Sequence, residues 1–198
     1  MSPARGDLID LEVERVGNGG VCIARHDGMV VLVRLALPGE RVTARVTAVR
    51  ARMLRADVVD VLRPSPHRVV APCPYVARCG GCDWQHADIA YQRELKAEVV
   101  IEQMAHVGGV THVGELPIRE LQVRAMSAAP DGLRWRTRNR FHRDNRGGLG
   151  LYASRSKDVV AIADCLIAAE GSVAAARVAA AVLPGDIATV VSADGVCA

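Results

Sequence analysis

The stretch DLIDLEVERVGNGGVCIARHDGMVVLVRLALPGERVTARVTAVRARMLRADVVDVL, residues 7–62, reads as a train of short strands. Leu8, Leu11 and Val13 begin the first, and GNGG breaks it. VCIAR and MVVLVRLAL follow, separated by the turn signal His26-Asp27-Gly28. Pro38-Gly39 marks a second turn, and ERVTARVTAV then alternates with period two. Five short strands in this length predict a small antiparallel barrel of the OB type. Such barrels often bind single-stranded nucleic acid through a basic groove with aromatic stacking platforms. Residues 1–63 carry ten Arg against eight acids and no aromatic residue. That composition suits arginine contacts to a phosphate backbone but not base stacking, and a purely structural barrel competes with it.

The whole chain of 198 residues is 50% hydrophobic and 24% charged, the balance of an ordinary folded protein of one domain or two small ones. Its first residues scatter charges through MSPARGDLIDLEVERV, and nowhere do eighteen apolar residues run together. The expectation is a cytoplasmic protein, monomeric and without a membrane partner. In a reducing compartment its six cysteines point to metal binding or redox chemistry rather than disulfides.

Three of those cysteines fall in CPYVARCGGCDWQH, residues 73–86. Cys73, Cys79 and Cys82 are one thiol short of a closed site. Cys22 lies inside a strand-like run, where a buried small hydrophobe is the expected role, and Cys197 has no partner motif. Cys165 follows KDVVAIADC, an alternating strand whose end can deliver a thiolate, and is the candidate fourth ligand. Four thiolates hold either a structural zinc or a [4Fe-4S] cube. Zinc sites usually draw ligands as two close pairs, whereas this pattern is three from one loop plus one from afar. Pro74 and Gly80-Gly81 suit close approach of backbone N–H groups to sulfur. His86 is set aside as a hydrogen-bonded histidine. After this loop, ADIAYQRELKAEVVIEQMAHVGG predicts a helix with Asp88 as N-cap and Gly108-Gly109 as its end.

Charge is uneven along the chain. The net charge is +3, yet Arg124 to Lys157 hold nine Lys/Arg against two Asp. Within GLRWRTRNRFHRDNRGGLGLYASRSKDVVAIADC, Arg134, Arg136, Arg138 and Arg140 recur every second residue. On an extended chain all four project from one face. Such a row suits a phosphate backbone unless carboxylates from elsewhere neutralise it. GGLGLY reads as a hairpin turn, since it lacks the pattern of a dinucleotide loop.

GNGGVCIARHDGMVVLVRLALPGERV followed by SPHRVVAPCPYVARCGGCDWQH resembles a TRAM domain leading into the cysteine segment of bacterial RNA (uracil-5-)-methyltransferases. The resemblance is strongest to the 23S rRNA branch, which carries an iron-sulfur cluster. It implies a mainly β chain with some helix: a TRAM, OB-like RNA-binding domain over residues 1–63, then an α+β central domain over residues 64–198. It implies Cys73, Cys79, Cys82 and Cys165 as the ligands of a structural [4Fe-4S] cluster. It also implies rRNA or tRNA as partner, gripped in part by Arg134, Arg136, Arg138 and Arg140. The family's catalytic cysteine, its glutamate base and its S-adenosylmethionine site lie in a later domain, and nothing after Lys157 resembles that domain. The expectation is part of an S-adenosylmethionine-dependent methyltransferase, inactive alone. A non-enzymatic RNA-binding module with a zinc or iron-sulfur staple is the alternative, and a small electron-transfer protein the least favoured reading.

Overall fold

In the computed structural model the first five strands close on themselves. The structure describes residues 3–127, 129–192 and 195–197. They divide into two compact units, Met1–Val70 with Asp83–Arg124, and Ala71–Cys82 with Ala125–Ala198.

In the first unit, β1 (Leu8–Val16), β2 (Cys22–His26), β3 (Met29–Arg34), β4 (Arg41–Arg50) and β5 (Met53–Arg63) form a closed barrel in the order β1-β2-β3-β5-β4. A ring with an odd number of strands cannot alternate direction all the way round, so one neighbouring pair must run parallel. That pair is β3 and β5, in register from Val30↔Met53 to Arg34↔Asp57. The expected all-antiparallel barrel is corrected at this one seam.

The turns are those the sequence announces. Asp27 and Gly28 both take positive φ, 48° and 78°, as the two-residue link between β2 and β3 requires. Gly39, at φ 81°, follows Pro38 in the tight turn before β4. Alternate residues of each strand fill the barrel, among them Leu11 and Val13, Val31 and Val33, Val42 and Val46. The small Ala24, Ala44 and Ala56 let opposite walls approach. Cys22 is wholly buried there, its Sγ donating to the Ala36 carbonyl at 3.2 Å. Burial, and secondarily the Glu40 carboxylate, push its pKa up to about 12, which makes it an inert core thiol.

The predicted helix is α1 (Ile89–His106), capped by Asp88, whose side chain accepts the Tyr91 N–H at 2.8 Å. Leu95 of α1 is fully buried and clusters with Val16, Leu37 and Ala87. A short hairpin of β6 (His112–Val113) and β7 (Leu116–Pro117) follows.

The second unit is an antiparallel sheet in the order β10-β9-β8-β11-β12, with β8 (Arg138–Arg143), β9 (Leu149–Tyr152), β10 (Val159–Ala161), β11 (Ile187–Ser192) and β12 (Gly195–Cys197). The alanine-rich α2 (Ser172–Val182) contributes Val173 and Ala176 to a core with Phe141, Leu149, Val160 and Ile187. The tail thus supplies one helix and two strands. Gly150 of β9 has a steric cause: a Cβ there would lie 1.9 Å from the Val160 carbonyl oxygen. Among the described residues no helix is long and apolar enough to cross a membrane.

Candidate cluster site and basic face

All four candidate ligands lie in the second unit. Cys79 and Cys165 are buried, at 7% and 8% exposure, and Cys73 and Cys82 are half-buried. The loop that carries the first three is folded tightly on itself. The Tyr75 carbonyl accepts the N–H of Arg78 and of Cys79 at 3.0 and 2.8 Å. It docks on the end of β9 through a bridge between Cys79 and Ala153 and through the Gly80 N–H on the Tyr152 carbonyl at 2.9 Å.

A second link reaches the distant thiol. The Ala163 N–H donates to the Tyr75 Oη at 2.8 Å, so residues two positions from Cys73 and from Cys165 are hydrogen-bonded to each other. Cys165 belongs to the apolar core with Ile162, Ile167 and Ala168, and Cys82 and Tyr75 pack against that same core. The loop and the remote segment are therefore neighbours in the fold.

The two glycines do different jobs. A Cβ on Gly80 would meet the Ser154 backbone at 3.1 Å, so Gly80 serves the docking on β9. A Cβ on Gly81 would sit 3.4 Å from the Cys79 Sγ, and the Gly81 N–H already donates to that sulfur at 3.4 Å. An N–H aimed at sulfur, and Cys165 and Cys82 in and against one apolar core, are features that suit an iron-sulfur cluster, with Asp83 and Asp164 adjoining those two cysteines in sequence. Among the described residues, no three His, Cys, Asp or Glu side chains converge as a site for a single metal ion. His86 lies in the other unit, 5% exposed, its Nε2 3.3 Å from the Ala36 carbonyl.

The arginine row is only partly the expected ladder. Arg134 has φ 55°, which breaks the extended chain, and β8 begins only at Arg138. The Arg134 guanidinium pairs with Asp164 at 2.5 and 3.2 Å and also donates to the carbonyls of Cys165 and Ala168. The shared hydrogen bonds raise the pKa of Arg134 and lower that of Asp164. Arg136 pairs through its backbone with Ala168, its N–H donating to the Ile167 carbonyl. Arg134 thus clamps the segment that bears Cys165, a role that even spacing could not reveal because its partner is 30 residues away.

Arg138 and Arg140 keep the predicted geometry, exposed on the face of β8 opposite the buried Asn139 and Phe141. Their side chains make no ion pair or hydrogen bond among the described residues. The sequence also held an unread feature. His142 shares their parity on β8, and its ring stacks on the half-exposed Tyr152 of β9 at 3.7 Å. In the barrel, by contrast, Arg41 and Arg63 pair with Glu12, and Arg25 pairs with Glu14.

Residues 4–59, which cover all but the last four residues of the barrel, match the TRAM domain family, so the first unit is built on a TRAM domain. Curated relatives extend the likeness to most of the chain. An uncharacterized RNA methyltransferase of Streptomyces coelicolor is 46% identical over 84% of this chain and 38% of its own length. One of Bdellovibrio bacteriovorus is 37% identical over 85% of this chain and 41% of its own. A 23S rRNA (uracil(1939)-C(5))-methyltransferase of Shewanella halifaxensis is 33% identical over 82% of this chain and 36% of its own. Among solved structures, the Pyrococcus abyssi tRNA (uracil-54, C5)-methyltransferase in complex with S-adenosyl-L-homocysteine matches with a TM-score of 0.49 and 24% identity, over 81% of this chain and 33% of that one. By homology the chain is a TRAM-containing member of the RNA methyltransferase family, and it spans about two fifths of the length of the curated relatives it matches.

Proposed function

We propose that this chain forms the RNA-binding, cluster-holding portion of an S-adenosylmethionine-dependent RNA (uracil-5-)-methyltransferase. The homology to RNA methyltransferases along most of the chain carries the reading. In it, Cys73, Cys79, Cys82 and Cys165 hold a [4Fe-4S] cluster as thiolates. The bound cluster acts as a staple between the 73–82 loop and the Cys165 segment and takes no part in methyl transfer. Around it, Tyr75 ties the loop to Ala163, and Arg134 fixes the segment through Asp164 and the Cys165 carbonyl. Arg138 and Arg140 meet RNA phosphates from the open face of β8. Methylation at uracil C5 needs a nucleophile for C6, a base for the C5 proton and a methyl donor. None of these roles is assigned to a residue of this chain. The substrate is RNA, and the name of the Shewanella relative favours rRNA over tRNA.

Two measurements test this. Protein purified without oxygen should carry about four irons and four sulfides per chain, and Cys165→Ala should lose them. One zinc and no sulfide would instead favour the RNA-binding module with a zinc staple, and absence of both metals would remove the site. Arg138→Ala with Arg140→Ala should lower the slope of log affinity for RNA against log salt by about 1.4, at about 0.7 per phosphate contact on a single strand. An unchanged slope would take β8 out of the RNA site.

A further inference from the structure

A second cationic surface lies on the cysteine loop's side of the sheet unit. A cavity of about 760 Å³ opens between the 74–78 part of that loop, the β8–β9 turn and the start of β10. Four cationic side chains line it, Arg78, Arg143, Arg146 and Lys157, against two carboxylates, Asp144 and Asp158. Their commitments differ. Asp144 is turned onto its own hairpin, accepting the N–H of Arg146 and Gly148 at 2.8 and 2.7 Å. Asp158 accepts the Ser156 hydroxyl at 2.8 Å. Arg143 donates to the carbonyls of Ala180, Leu183 and Gly185 at the end of α2, where a cation also offsets the helix dipole.

Arg78, Arg146 and Lys157 remain. All three are exposed, they come from three different segments, and none makes a side-chain hydrogen bond or ion pair among the described residues. With four cations against two carboxylates the concavity keeps a net positive charge, and three of its cations without internal partners focus a positive potential there. Folding leaves such repulsion in place only weakly opposed by screening, so a polyanion that enters gains from each of them. Among the described residues no buried polar side chain lines this cavity, so the surface suits a run of phosphates rather than one small anion. The apolar Val159 and Ala161 on the floor offer contact to the sugars between them.

We infer that this cavity is a second contact for the RNA strand, in which Arg78, Arg146 and Lys157 bind consecutive backbone phosphates beside the cysteine loop; the inference rests on the RNA-binding reading above. Because Arg78 lies between Cys73 and Cys79, the staple and the RNA contact share one loop, and ordering the loop preorganises the contact.

The test is fluorescence anisotropy of a labelled single-stranded RNA oligonucleotide with the full chain over a range of salt. The Arg78→Ala, Arg146→Ala, Lys157→Ala triple variant should lose about 2 from the salt slope, which at about 0.1 M salt is roughly a 100-fold loss of affinity. Arg78→Lys with Arg146→Lys should keep the slope, since the charges remain. Circular dichroism should be unchanged in both, because the altered side chains have no internal partners. If the unaltered chain fails to bind RNA, the RNA reading itself falls. If it binds, and the folded triple variant binds with the same slope, the cavity contact is refuted while the β8 face stands.

Discussion

Glu40 is wholly buried, a rare position for a carboxylate, and its surroundings allow a quantitative prediction. Each oxygen is met by two donors. Oε1 accepts from Arg68 Nε at 2.5 Å and the Ser65 N–H at 3.1 Å, while Oε2 accepts from Arg68 Nη2 at 2.7 Å and the Leu37 N–H at 2.8 Å. Burial alone would raise the carboxyl pKa, but Arg68 and the two backbone donors outweigh it and hold Glu40 ionised below its ordinary range. The pair ties the turn before β4 to the segment that leaves β5. Glu40→Ala strands a largely buried guanidinium and two backbone N–H groups, which costs about 3–5 kcal/mol. With a urea m-value of about 2 kcal/mol/M, the midpoint falls by about 1.5–2.5 M. Glu40→Gln should rescue little, because its amide N–H₂ must face donors whichever way it turns. Replacing the pair with Glu40→Leu and Arg68→Met should recover most of the loss. Urea titration of the full chain by far-UV circular dichroism reads all three. A fall below about 0.5 M for Glu40→Ala, or full rescue by Glu40→Gln, would refute the reasoning. Since the folded pKa is lowered, the contribution of Glu40 is complete above the ordinary carboxylate range and is lost as pH falls through the depressed value.

His86 should dominate the acid side at milder pH: burial pushes its pKa from 6.5 down to about 4. The unfolded chain therefore takes up a proton first, and stability should fall by about 3 kcal/mol between pH 6.5 and 4, with His86→Leu flattening the urea midpoint over that window. Gly150→Ala should unpair β9 from β10, because the added methyl meets a carbonyl at 1.9 Å; a soluble variant with wild-type midpoint would show that the strands shift freely. Asp88→Ala should destabilise the first unit by about 1 kcal/mol through loss of the cap on the Tyr91 N–H, read as a small midpoint shift. Arg134→Ala should lower iron retention although Arg134 touches no ligand sulfur, while Arg134→Lys, which keeps the charge on Asp164 but not the two-pronged grip, should restore it only in part; unchanged iron in both would make the clamp irrelevant to the site.

The barrel was legible because its information is local. Alternation assigns each strand a face, and Asp27-Gly28 and Pro38-Gly39 specify backbone angles that few other residues adopt. Alternation is silent on which strand neighbours which, so the parallel seam of β3 and β5 emerges only from closing an odd ring. The cysteines at 73, 79 and 82 form a visible spacing pattern, whereas the link of Tyr75 to Ala163 leaves none, since a hydroxyl bonded 88 residues away has no periodic trace. The arginine row failed at Arg134 for a related reason. Spacing by two assumes an extended chain, and the ion pair with Asp164 stabilises a left-handed residue there instead.

That failure bears on how basic segments are read. Between Arg124 and Lys157 the sequence counts nine cations, yet Arg134 and Arg143 already have internal anchors, one on Asp164 and the other on the carbonyls beyond α2. To reach a phosphate, Arg134 must first break a 2.5 Å charge-assisted pair, and the gain from counterion release is offset by that loss. Arg138, Arg140, Arg146 and Lys157 have no such bond to give up. Their charges repel one another in the folded protein, and the RNA strand proposed to bind there would relieve the repulsion. The property that separates a binding cation from a structural one is thus the partner it holds inside the fold, and the strand-like spacing shared by Arg134 and Arg138 carries no information about it.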